Sequence, residues 1–187
     1  MFHEGDLGDV VHLIQVGRVA IRITTTRGET LTLAVMGPGE LFGEMSLFTD
    51  RDERTATVVA LDDVDTLTLR HGAFYDLLRS HPEVSEMFLR LLARRTARLT
   101  GLVAEAHFVP VEQRVARRLY EVGRLYLADG LPVVVPLTQD DVAGLAGTTR
   151  PTANQALRRL EDLGVVRLAR GRVEILDPPA LRQRTGW

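Results

Sequence analysis

Apolar positions change their period along this chain, and each regime predicts a different architecture. Up to about residue 70 they fall in short β-type runs. These are Val10-Val11-His12-Leu13-Ile14, Val19-Ala20-Ile21-Arg22-Ile23, Leu31-Thr32-Leu33-Ala34-Val35, Thr57-Val58-Val59-Ala60 and Val64-Asp65-Thr66-Leu67-Thr68-Leu69. The second and third alternate or nearly alternate, as half-buried strands do. Glycines at positions 5, 17, 28 and 39 punctuate the early runs, with Arg27-Gly28 reading as a hairpin tip and Gly37-Pro38-Gly39 as a turn. Short strands at this spacing predict a sandwich or roll.

Near His71 the period becomes helical. Ala73, Phe74, Leu77 and Leu78 suit a short helix, and His81-Pro82 breaks it, with Pro82 well placed in the first turn of the next. From there to about Phe108 the pattern predicts one long helix. Phe88, Leu92, Arg95, Leu99, Leu102 and Ala106 step by four and three in alternation. That is the heptad seam of two helices packed side by side, and Arg95 interrupts it. Val109-Pro110 ends the helix and reads as a hinge.

Beyond the hinge, Val115, Leu119, Val122 and Leu125/Tyr126 mark an amphipathic helix from Val111 to about Ala128, with arginines between them. Val133-Val134-Val135 is a short strand. Thr138 is placed to cap a helix, with an acid three residues later, and that helix ends at Gly147. Thr149 is placed to cap the next, which carries Arg150 and Pro151 in its first turn and runs to Gly164. Residues 165–176 read as a hairpin. Helix, glycine turn, helix and hairpin make a winged helix-turn-helix. The expected class is α+β: a roll over 1–80, a long helix and hinge over 81–109, and a winged helix-turn-helix over 110–187.

Charge sharpens this division. Residues 1–109 hold 11 Arg and 16 acids, net −5, whereas residues 110–187 hold 12 Arg and 9 acids, net +3. A basic C-terminal part suits a polyanionic partner. Every fixed cation is an arginine, the side chain suited to bidentate phosphate contacts. The chain has no cysteine, which excludes disulfides, thiolate zinc sites and cysteine-held iron–sulfur clusters. The five histidines show no metal-ligand spacing, and no catalytic constellation or Walker loop is visible, so no metal and no enzyme activity are expected. Apolar runs are too short to span a bilayer, and the expected location is the cytoplasm.

Two constellations carry chemistry. Phe42-Gly43-Glu44-Met45-Ser46-Leu47-Phe48 is followed by a polar loop, Thr49 to Glu53, and then by Arg54-Thr55-Ala56. Glycine allows close backbone approach, a carboxylate accepts hydroxyl hydrogens, and an arginine with a hydroxyl beside it suits a phosphate. In the second helix of the pair, Arg150, Pro151, Asn154, Gln155 and Arg158 share one face, opposite Ala153, Leu157 and Leu160. Arginine pairs with guanine, and asparagine or glutamine with adenine, in a major groove. Thr138, Gln139 and Thr149 are placed for phosphates at helix starts, as are Arg170 and Arg172 at the wing tip.

These segments, in this order, resemble the CRP/FNR family of bacterial transcription regulators, most closely the cyclic-AMP receptor branch. The resemblance implies a β-roll of the double-stranded jelly-roll type, a homodimer, cyclic AMP as effector, a pseudo-palindromic site on double-stranded DNA, and RNA polymerase as a partner. It implies that Glu44 bonds the ribose, that Arg54 and Thr55 hold the cyclic phosphate beside Gly43, and that Arg95 braces Glu44. It implies that adenine is read by adjacent hydroxyl residues of the paired helices. Here that pair is Leu99-Thr100, so Thr100 keeps the role and Leu99 departs from it. Pro151 and Gln155 depart from the family's recognition-helix pattern, which implies a different DNA site. Members that bind another ligand, or none, are the alternative. Sensors of this kind begin earlier, so a short N-terminus is expected.

Overall fold

A computed structural model describes residues 1–26, 28–48 and 52–186. Arg27 of the expected hairpin tip and Thr49, Asp50 and Arg51 of the expected polar loop lie outside the described residues, as does Trp187. Contacts divide the chain into two units: Met1–Val19 with Met36–His107, and Ala20–Val35 with Phe108–Trp187.

The first half of the chain runs through β1 (Val10–Val16), β2 (Val19–Thr24), β3 (Thr30–Met36), β4 (Leu41–Phe42), β5 (Thr57–Ala60) and β6 (Asp65–Arg70), then α1 (His71–Ser80) and α2 (Pro82–Phe108). A 3-10 turn, Met45–Phe48, follows β4. In the first unit, β1 lies between β4 and β6 in an antiparallel sheet, pairing His12 with Phe42 on one side and with Thr68 on the other. The core of this unit joins strand, turn and helix residues: Val11, Leu47, Phe74 and Phe88 are buried together, with Leu69, Leu78 and Leu92 packed against them. Phe74 and Phe88 meet edge to face, centroids 5.4 Å apart, the favoured aromatic geometry.

This packing alters the reading of the heptad. Phe88 and Leu92, its first two positions, are spent on the unit's own core. One end of the stripe from Phe88 to Ala106 is thus covered within the unit itself. Leu99 and Val103 are each 62% exposed. Apolar surface is thus left uncovered on the later turns of α2, as it is at Met87 and Leu89 nearer its start.

The second unit contains the β2–β3 hairpin, closed by Thr25 N–H to the Glu29 carbonyl at 2.8 Å. Its remaining elements are α3 (Val111–Leu125), β7 (Val133–Val135), α4 (Gln139–Leu145), α5 (Arg150–Asp162), β8 (Val166–Ala169), β9 (Arg172–Ile175) and α6 (Pro178–Gln183). Strand β7 joins the hairpin of β8 and β9, giving the order β7-β9-β8. Val115, Leu119, Val142, Leu157, Val173 and Ile175 are almost wholly buried. Thr138 and Asp141 form a complete capping box at the start of α4, which satisfies two otherwise orphaned N–H donors. Arg114 and Arg118 of α3 are buried rather than solvated. Arg114 donates to the carbonyl of Gly147 in the turn between α4 and α5 at 3.2 Å, and Arg118 pairs with Glu121 at 2.7 Å. Among the described residues no helix is long and apolar enough to cross a membrane.

Candidate ligand pocket and DNA-reading face

Arg54 is placed by its backbone. Its N–H donates to Asp6 O at 2.8 Å and its carbonyl accepts from Gly5 N–H at 2.9 Å, so the N-terminal turn pins it from both sides. Its side chain runs inward, leaving the residue 6% exposed. The guanidinium lies over the Phe2 ring, 4.1 Å from the centroid, a cation–π contact. Nη1 donates to Gly43 O at 2.9 Å. Among the described residues this carbonyl is the one acceptor the guanidinium meets, and Nε is buried with no partner. Burial holds the Arg54 pKa below its ordinary value, against the raising effect of Asp9, Asp6 and Glu44. The backbone at Gly43 has φ +80°, and a Cβ there would stand 2.6 Å from Arg54 Nη1. Glycine is therefore required for both conformation and space.

Glu44 is 3% exposed. Arg95 Nη1 donates to its Oε1, and Arg95 Nη2 donates to Leu41 O. The structure thus brings together Gly43, Glu44, Arg54 and Arg95. Thr55 is exposed, and its hydroxyl faces the Met45 sulfur at 3.8 Å. Thr100 is exposed and donates back to Thr96 O at 3.1 Å, so within one chain it is not drawn to the cluster.

No local sequence signal points to the aromatic group behind Arg54. His12 stacks on Phe42, centroids 4.8 Å apart, and Phe2 meets both rings at 5.9 Å. The Nδ1 of His12 lies 3.2 Å from the Thr66 hydroxyl. Burial, then the Arg54 charge, then the N-terminal ammonium hold the His12 pKa below the ordinary 6.5. A depressed folded pKa makes the neutral ring the native form. Its contribution is complete above pH 6.5 and is lost as pH falls through the lower folded value. Urea unfolding midpoints should therefore fall on acidification below pH 6.5, and His12→Phe, which keeps the stack but does not titrate, should flatten part of that fall.

In the second unit, Arg150 is 65% exposed on its side chain, with Asp140 at 3.4 Å. Pro151, Gln155 and Arg158 are exposed beside it, while Ala153, Leu157 and Leu160 are buried. Asn154 departs from the expected face: it is half-buried, and its Oδ1 is buried without a partner among the described residues. The helix presents Arg150, Gln155 and Arg158, with Asn154 at the edge. Thr149 is the N-cap residue of α5 by backbone geometry but makes no side-chain cap bond; its hydroxyl meets that of Thr152 at 2.9 Å. Thr138 is exposed and Gln139 half-buried. Arg170 is exposed at the wing tip, and Arg172 is held by Glu174 at 3.0 Å. A groove of about 270 Å³ runs between Thr138, Gln139, Asp140 and Arg150 on one side and residues 168–173 on the other. Among the described residues no cluster suits a metal ion.

A chain that sets a buried arginine beside Gly43 and carries a winged helix-turn-helix is, by its fold, of the DNA-binding class. Comparison with known proteins gives the same class. Residues 1–81 match the cyclic nucleotide-binding domain and residues 113–184 the Crp-like helix-turn-helix domain. The chain is 37% identical over 183 residues to the cyclic AMP receptor protein of Thermus thermophilus, covering 98% of this chain and 82% of that one. It is 34% identical over 187 residues to the CRP-like cAMP-activated global transcriptional regulator of Mycobacterium tuberculosis, covering 98% and 83%. Among solved structures, the Thermus thermophilus catabolite activator protein aligns over 100% of this chain and 85% of that one, with a TM-score of 0.51 and 37% identity. A CRP/FNR-family transcriptional regulator of the same organism shares the fold, with a TM-score of 0.78 at 24% identity over 100% and 97%. The chain belongs to the CRP/FNR family. It is a transcription regulator with a cyclic nucleotide-binding domain and a DNA-binding helix-turn-helix, not an enzyme.

Proposed function

We propose that this protein is a homodimeric transcription regulator whose hold on a pseudo-palindromic DNA site is set by cyclic AMP. In this reading residues 1–80 are the sensor, 81–109 the dimerisation helix and hinge, and 110–187 the DNA-binding part, acting on RNA polymerase in the cytoplasm. The observation that carries it is Arg54: a buried guanidinium with, among the described residues, one carbonyl partner and an unpartnered Nε. A buried charge so sparsely bonded is costly, and a cyclic phosphate supplies the missing acceptors. Gly43 leaves room, Thr55 adds a hydroxyl, and Glu44, oriented by Arg95, accepts from the ribose. The names of the relatives supply the nucleotide, since both are called cyclic AMP proteins.

The exposed later turns of α2 would pair with those of a second subunit, where Thr100 would complete the base site. Ligand can change DNA affinity only through a difference in its own affinity for two conformations. The two recognition helices must stand about 34 Å apart to enter successive major grooves, and ligand would set that spacing through the hinge near Val109-Pro110. Titration calorimetry with cyclic AMP and cyclic GMP tests the effector. Saturable binding of cyclic AMP is expected, and heats equal to buffer dilution for both would overturn it.

On the DNA side, Arg150→Ala should cost about 1–3 kcal/mol and relax discrimination at one base pair of each half-site. Selection from a randomised duplex library, compared with wild type, measures both effects.

A further inference from the structure

Asp141 does more than cap a helix. One of its oxygens, Oδ2, accepts from Thr138 N–H at 2.9 Å and from the Thr138 hydroxyl at 2.7 Å. Oδ1 is taken by the β2–β3 hairpin: the Thr32 hydroxyl donates at 2.6 Å and Arg22 Nη2 at 2.9 Å. Asp141 is 6% exposed and Thr32 2%. Burial, the largest single effect, would raise the carboxyl's pKa. The hydrogen bonds from Thr32 and Thr138 and the Arg22 charge outweigh it and leave the pKa below 3.8. A second close approach lies one turn along α4. A Cβ on Gly144 would stand 2.8 Å from Thr32 N and 3.0 Å from Thr32 O. The hairpin falls within the sequence matched by the cyclic nucleotide-binding domain, yet its contacts group it with the helix-turn-helix.

We propose that Arg22 and Thr32 are positioning residues for DNA recognition: through Asp141 they seat the first helix of the helix-turn-helix on a hairpin that continues the sensor sequence. Arg150, Gln155 and Arg158 stay exposed while the seat is made, and Thr25, Glu29, Thr30 and Leu31 of the hairpin line one cleft with Thr149, Arg150 and Pro151. The seat also lies beside the groups that face phosphate, since Thr138 is both the cap partner of Asp141 and a candidate backbone contact. Removing a hairpin donor leaves a buried carboxylate oxygen short of partners. The capping box survives, so α4 stays folded while its seat loosens. Both donors act on the same oxygen, so their effects should overlap rather than add.

This inference rests on the DNA-binding reading above, and the test separates the two. Full-length wild type, Arg22→Gln, Thr32→Val, the double variant, Thr32→Ser and Gly144→Ala are titrated onto a duplex selected by the wild type, with and without saturating cyclic AMP. With cyclic AMP, Arg22→Gln and Thr32→Val should each bind about tenfold more weakly or worse, the double variant less than additively, and Thr32→Ser as wild type. Their calorimetric affinity for cyclic AMP and far-UV dichroism should match wild type, and the nucleotide-induced gain in DNA affinity should shrink. Gly144→Ala should lose DNA affinity although alanine is the better helix former. It serves as the independent arm if a hairpin variant fails to fold. Affinities within about threefold of wild type for the hairpin variants and Gly144→Ala would overturn the inference. A wild type that binds DNA equally with and without cyclic AMP would instead sink the effector reading, and the seat would then stand or fall on the variants' DNA affinity alone.

Discussion

Arg54→Ala should abolish the response to cyclic AMP while leaving the protein folded. Each hydrogen bond to a charged group contributes about 1.5–3 kcal/mol, and the proposed cyclic phosphate would accept two from this guanidinium. The expected loss in affinity is about a hundredfold or more. The apo-protein should lose little, because among the described residues the wild-type guanidinium meets one carbonyl and the Phe2 ring. The clearest readout is therefore a difference between melts. At a cyclic AMP concentration about a hundredfold above the wild-type dissociation constant, mass action stabilises wild type by about 2.7 kcal/mol, and Arg54→Ala should show almost none of this. Equal ligand-induced shifts in Tm for the two proteins would remove Arg54 from the pocket.

The second large effect is expected from Leu99→Glu combined with Val103→Glu. The two positions lie four residues apart on α2, hence on one face, and both are exposed. Neither contributes to the buried core of the first unit. Placed in a two-fold interface, each carboxylate would meet its symmetry mate or lie buried without a partner, and either is strongly unfavourable. Sedimentation should show a dimer for wild type and a folded monomer for the variant. DNA affinity should fall by about a hundredfold or more, because two linked half-site contacts gain roughly 10²–10⁴ from effective concentration. A variant that remains dimeric would place the subunit contact elsewhere.

The strands of the roll are legible because alternation and glycine spacing are local signals, and so is the Thr138 cap of α4, whereas Thr149 makes no side-chain cap bond. Thr138 and Asp141 announce their helix by spacing alone. Phe88 is harder: a heptad shows that a helix has an apolar stripe but not which partner covers each turn. The C-terminal α6, absent from the expected elements, nonetheless carries a readable signal. Asp177 stands before two prolines, and its carboxylate accepts from Ala180 N–H at 2.9 Å, the usual start of a helix. Strand β7 is visible, but its pairing with β9 is not, since pairing is a long-range choice. In the pocket, Gly43, Glu44 and Arg54 are close in sequence and stand out together. Arg95, distant in sequence, comes only with the family resemblance. Phe2 and His12 behind Arg54, and the second duty of Asp141 toward Thr32 and Arg22, depend on side chains brought from far along the chain. No local pattern encodes them.

One proposed relation stands at the centre: an occupied anion site would raise the DNA affinity of the groove-reading helix. Fluorescence anisotropy of a selected duplex, titrated with wild type and with Arg54→Ala in the presence and absence of cyclic AMP, tests it most directly. Tighter binding with nucleotide is expected for wild type, and a single, weak, nucleotide-independent curve for Arg54→Ala. Superimposed wild-type curves with and without cyclic AMP would contradict it.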